Sequence, residues 1–184
     1  MSKDTPGSPI RRVATGQGAN GLSVVVSDEQ VAPIEAPLMP GAKFYSFWGA
    51  DSMPALPNDG AEPDFTTWFP PEGGFRFELI TLPPGGDPPA SIIDPAKALA
   101  ETKTLLPGLM DVMDPKHPGW HATDTIDLIY VVSGECVLKL DSGETSPLRA
   151  GDTLVQTGSR HDWGNPGAVP CALLVVSIGV KRKG

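Results

Sequence analysis

Histidine is scarce in this chain, three in 184 residues, and two of the three stand where imidazole chemistry is possible. His121 sits in the stretch GWHATDTID, residues 119–127, and His161 in GSRHDW, residues 158–163. With Asp127 they make two imidazoles and a carboxylate, a donor set that holds Fe(II) on one face and equally suits zinc with an open water position. The open positions would let substrate or O₂ reach the ion. The same residues without a metal form another device, a histidine base oriented by a carboxylate and working near neutral pH. Thr123, Thr125 and Gln156 are candidates to hydrogen-bond water or substrate. Trp120 and Trp163 could shape an apolar mouth together with Tyr130, for which core packing is the better reading. His117, in DPKHPG, reads as an exposed loop residue.

These side chains can meet only if the chain brings them together. Six residues of straight strand would hold His121 and Asp127 roughly 20 Å apart. The run Thr123-Asp124-Thr125 favours a turn, because its short side chains hydrogen-bond their own backbone. A reversal there would set His121 and Asp127 on neighbouring inward-facing strands, with His161 on a third. From residue 119 onward, β-rich apolar runs such as LIYVV, CVLKL and CALLVVSIG alternate with glycine-marked turns. Earlier, LSVVVSD (22–28) and KFYSFWG (43–49) read as strands. In FRFELITL, Phe75, Phe77 and Leu79 alternate with Arg76 and Glu78, the mark of a half-buried strand. A helix is expected only at 95–106, capped by Asp94, opened by Pro95 and stopped by Pro107-Gly108. Leu99, Lys103 and Leu106 share the side on which it would pack. Residues 1–10 read as a loose arm. Short strands without repeats or βαβ alternation predict an antiparallel sandwich or barrel.

Composition narrows the partners. Forty per cent hydrophobic residues suffice for a core, and 21 glycines with 21 prolines demand many turns. A net charge of −8 argues against nucleic acid and anionic membrane surfaces, since the one dense basic run, Lys181-Arg182-Lys183, reads as a solvated end. The N-terminus shows no signal-peptide run, and CALLVVSIGV is too short to span a bilayer. Cys136 and Cys171 lie in apolar strand-like runs and read as buried free thiols of a reducing compartment. A soluble cytoplasmic protein acting on small molecules is the expectation.

The two histidine stretches resemble the paired motifs of the cupin superfamily. In the first, Gly119, His121, Thr123, Asp127 and Gly134 follow the family's Gly, His-x-His, Glu, Gly frame. In the second, Gly151, Gly158, His161 and Asn165 follow Gly, Pro-Gly, His, Asn, one residue short and with Gln156-Thr157 where proline is usual. Thr123 stands where that family has its second histidine, and Asp127 where it has glutamate. More narrowly, the sequence is similar to single-domain bacterial cupins and relatives in fungal biosynthetic clusters, which have H-x-T-[DN]-[TS]-[VI]-D here. The stretches RRVATGQGANGLSVVVSD and DPKHPGWH share in that similarity.

The resemblance implies an all-β fold, an antiparallel double-stranded β-helix (the cupin jelly-roll barrel) with an N-terminal β-arm and one short helix. It implies one domain over residues 1–184, with 1–110 as extension and 111–184 as the core carrying both motifs. It also implies His121, Asp127 and His161 as ligands of a divalent metal (Fe, Mn, Ni or Zn) and as catalytic residues. The implied activity is oxidoreductase or dioxygenase-like chemistry on a small aromatic or polyketide-like molecule. The alternatives are a metal-independent lyase, decarboxylase or isomerase using a His–Asp pair, and a small-ligand-binding barrel without turnover. A homodimer, with exchange of the arm, completes the expectation.

Overall fold

The computed structural model describes residues 7–85 and 92–183. The expected loose arm at 1–10 therefore lies largely outside the described residues. Among the described residues there are ten strands: β1 (Ile10–Gln17), β2 (Ser23–Val31), β3 (Lys43–Ala50), β4 (Phe75–Leu82), β5 (Thr125–Ser133), β6 (Glu135–Leu140), β7 (Thr145–Arg149), β8 (Thr153–Gln156), β9 (His161–Gly164) and β10 (Cys171–Gly179). Every strand pair is antiparallel. A five-stranded sheet runs β3-β4-β10-β5-β8, a three-stranded sheet runs β7-β6-β9, and β1-β2 form a separate hairpin. The first half of the chain thus supplies two strands of the main sheet, so 1–110 is more than an appended arm.

Two apolar clusters hold the body together. One joins the sheets, with Ile129, Val131, Leu173 and Val175 packed against Cys136 and Trp163. Both cysteines are free and buried. The other gathers Phe44 and Trp68 with Leu106 and Leu109 from the helical segment. Ile80 of β4 touches both clusters.

Strand β4 reverses the ordinary meaning of its alternation. Arg76 and Glu78 are the buried residues, at 0% and 1% exposure, while Phe75, Phe77 and Leu79 are only partly covered. The cause is the hairpin. Strand β1 lies over the outer face of β3-β4, where Phe77 packs on Phe47 and the Arg12 guanidinium donates to the Phe47 carbonyl at 2.8 Å. The aromatic side of β4 therefore has a cover of its own, and the polar side is turned into the body. Further along the same outer face the cover ends, leaving Leu128, Tyr130, Val132 and Val155 exposed.

Helix α1 (Pro95–Leu105) has the expected signals: Pro95 opens it, and the Asp94 side chain accepts from the Lys97 N–H at 3.0 Å. Its packed side differs from the expected one. Ala98 and Thr102 are buried and lead to Leu106 at the C-cap, whereas Leu99 is 39% exposed. Small residues let the helix come close, and Leu106 fills the space below. The basic tail differs too: Arg182 folds back to pair with Asp124 and donates to the Thr123 carbonyl at 2.8 Å. No described helix is long and apolar enough to cross a membrane.

The helix packing gives a direct prediction. Leu106→Ala should lower stability by about 2–5 kcal/mol, as buried leucine truncations do. Leu99→Ala should stay within roughly 0.5 kcal/mol. Urea unfolding of both variants checks this, and equal losses would place the packed side where the spacing of leucines put it.

Candidate functional site

His121 and His161 are held by the same local device. His161 begins β9, and His121 pairs with it as a lone β-bridge, the two residues exchanging N–H···O=C bonds of 3.0 and 2.9 Å. Each ring then turns back on its own approach. The Nδ1–H of His121 donates to the Gly119 carbonyl and that of His161 to the Ser159 carbonyl, both at 2.9 Å. A carbonyl can only accept, so each imidazole carries its proton on Nδ1 and keeps a lone pair on Nε2. The ring centroids are 4.2 Å apart. Gly119 has φ +92°, and a side chain there would run into the Asp162 carboxylate. Only glycine makes this approach.

Asp127 reaches the site from the opposite sheet. Between His121 and Thr125 the chain crosses from one sheet to the other instead of reversing, so His121 neighbours His161 and faces Asp127 across the interior. Strand register aligns Arg76, Ser177, Asp127 and Gln156 in one row across β4, β10, β5 and β8. The next row carries Glu78, Val175 and Ile129. Burial holds the Asp127 carboxyl above its usual pKa, opposed by the hydroxyls of Ser177 and Thr125 and by His121. Its Oδ1 is buried without a hydrogen-bond partner. Glu78 is raised further, first by burial and then by the nearby charge of Asp127, with Arg76 working against both. Arg76 is itself spent, donating to the Thr67, Ala50 and Phe75 carbonyls and to Asp51.

These groups line one cavity of about 270 Å³ between the two apolar clusters. Phe44, Trp68, Phe69, Ile80, Met113 and Trp163 supply most of its wall, and Glu78, Asp127, Ser177, His121, His161 and Asp162 the polar part. Trp163 meets His161 edge to face at 5.9 Å. Asp162 is tied to Lys139 at 3.0 Å.

The expected site residues are only partly brought together. His121, Asp127, His161 and Trp163 share the cavity wall. Thr123 and Thr125 are buried and bond each other at 2.7 Å, and Gln156 is buried with its amide on the Ser159 carbonyl, so all three brace the turns behind the site. Trp120 lies outside the cavity lining, under the Arg160 guanidinium, which pairs with Asp114. Tyr130 points to the exposed outer face. His117 is exposed and bonded to Asp114 at 2.9 Å. Asn165 locks a turn through the Leu82 and Val169 carbonyls. Glu78 is the site residue that reading along the sequence misses. Its only signal was a charge at an alternating strand position, which ordinarily marks the solvent side.

A metal needs donors that converge. The imidazole pair offers two, but among the described residues no three His, Cys, Asp or Glu side chains form a group that could hold an ion. The expected set of His121, Asp127 and His161 therefore does not fit a three-ligand centre in this arrangement. Asp127 approaches His121 from the far sheet, where hydroxyls engage it.

Residues 109–177 match the model of the cupin domain family. Oryzines biosynthesis cluster protein J of Aspergillus oryzae is 43% identical over 54 residues, 27% of this chain and 30% of the relative. Phomopsin biosynthesis cluster protein D of Diaporthe leptostromiformis is 32% identical over 100 residues, 54% of this chain and 49% of the relative. The chain thus spans about half or less of the curated relatives it matches. The Schizosaccharomyces pombe Cnp3 cupin domain is similar at a TM-score of 0.46 and 11% identity, over 92% of this chain and 87% of that one.

Both rings are held neutral at physiological pH. Burial lowers the His121 pKa, and burial followed by repulsion from His121 lowers that of His161 from 6.5 to about 4. Between these two values only the unfolded chain takes up the proton, so His161 withdraws stability as pH falls, by roughly 3 kcal/mol in full. The raised carboxyls Asp127 and Glu78 act in the opposite sense. ¹⁵N NMR of the imidazoles should find His161 as the neutral Nδ1–H tautomer down to pH 5. Titration of the folded protein's His161 near 6.5 would contradict the burial described.

Proposed function

Residues 109–177 match the cupin domain family, and from that premise we propose that the cavity is the active site of a small-molecule enzyme using acid–base chemistry. The observation that carries this reading is the pair of neutral imidazoles, each with Nδ1–H on a backbone carbonyl and Nε2 free, in the wall of a largely apolar cavity. A base must begin unprotonated, and burial keeps both rings so. His121 is the better placed, because Asp127 favours its charged form and so stabilises the imidazolium that appears once it takes a proton. The reaction class is proton abstraction next to an activating group such as a carbonyl, as in a lyase, decarboxylase or isomerase. At about 270 Å³ the cavity lies at the small end of ligand pockets and suits a single-ring molecule.

Metal-dependent oxidation, which the motif resemblance implies, needs a third donor brought to the imidazole pair. Chelation separates the two chemistries. In D₂O, the protein should catalyse exchange of the activated C–H of small apolar carbonyl compounds, followed by proton NMR, and EDTA should leave the rate unchanged. His121→Ala should lower it by about 10²–10⁴-fold, the ordinary worth of a general base. Turnover abolished by EDTA and restored by a divalent ion would replace this reading with the metal one. Ligand binding without exchange would leave a binding protein.

A further inference from the structure

The cavity wall is chemically one-sided. Three carboxyl side chains line it, Glu78, Asp127 and Asp162, and among the described residues no lysine or arginine does. Asp162 has its own cation outside, Lys139. Glu78 and Asp127 have none that reaches them: Arg76 is directed to three backbone carbonyls and Asp51. Glu78 is 1% exposed and Asp127 7%, and the Asp127 Oδ1 lacks any partner. The buried carboxyls of this barrel are thus left without the counter-charge that makes such burial tolerable.

The rest of the wall supplies aromatic faces. Phe44 and Trp68 meet edge to face at 5.5 Å, and Phe69 and Trp163 line the same space. Aromatic surface combined with carboxyls that lack a counter-charge is the environment that favours an organic cation over a neutral or anionic molecule of the same shape. A carboxylate or phosphate would find no lysine or arginine in this wall to answer its charge.

We propose that the ligand of this cavity is a small amine, its ammonium group set against Glu78 and Asp127 and its apolar body against Phe44, Trp68 and Trp163. The inference names the substrate class for the site proposed above and rests on that cavity being the binding site, though not on any particular reaction.

Three probes of one shape test it: 2-phenylethylamine, 2-phenylethanol and 3-phenylpropionate, bound to the full chain at neutral pH with EDTA present and followed by calorimetry. The amine should bind about tenfold more tightly than the alcohol, with the carboxylate weakest. Glu78→Gln should remove most of the amine's advantage over the alcohol. Equal affinity for the three, preference for the carboxylate, or no binding of any would overturn the proposal. Should Glu78→Gln fail to fold, the wild-type series alone still decides. Amine binding without catalysed exchange would support this inference while removing the acid–base reaction, so the two fail separately.

Discussion

A carboxyl group inside an apolar barrel costs several kcal/mol unless something answers its charge, and Glu78 and Asp127 impose that constraint on the whole inner face of the main sheet. Much of the architecture is arranged around it. Ser177, directly across from Asp127, and Thr125, two residues before it on the same strand, present hydroxyls to the Asp127 carboxyl. Arg76, one row from Glu78, supplies a buried positive charge with four of its five N–H donors engaged elsewhere. It favours the ionised form of Glu78 from a distance without pairing with it. The N-terminal hairpin makes the arrangement possible from outside, because only a covered outer face allows Phe77 to point away from the cavity.

The histidine side of the site obeys a separate rule. Two rings whose centroids are 4.2 Å apart cannot both be protonated cheaply, and burial penalises even one charge. The result is a pair of neutral imidazoles in a defined tautomer, set by glycine and serine carbonyls two residues upstream of each ring. Arg182 braces this half from the tail by tying down the loop at Thr123 and Asp124 that leads from His121 to β5. A threonine at 123, where related motifs carry histidine, therefore has a structural use here: its hydroxyl is bonded to Thr125 and its carbonyl to Arg182.

Much of this was legible in the residue order. The glycine-histidine frames located His121 and His161, the antiparallel all-β class followed from the spacing of turns, and the Asp94-Pro95 signal placed the helix within a residue. What could not be read was direction. Period-two alternation in β4 says that Arg76 and Glu78 share a face, but it identifies the inner face only when the other meets water. Here a distant hairpin covers that other face, so the rule assigned the wrong side. The Thr123-Asp124-Thr125 run was compatible with a reversal or a crossing, and the packing of two sheets selected the crossing. Along α1 the leucines stood out by type, yet close approach selected Ala98 and Thr102.

If the cavity uses Glu78, its carboxyl is kept inside at a cost to stability. Urea denaturation of Glu78→Leu beside the wild type measures that cost directly. If Glu78 is a functional burden, leucine of similar volume should raise the midpoint with an unchanged slope, by roughly 1–3 kcal/mol. A loss of comparable size would mean that the carboxyl is satisfied where it lies and holds the barrel together, and would contradict the account.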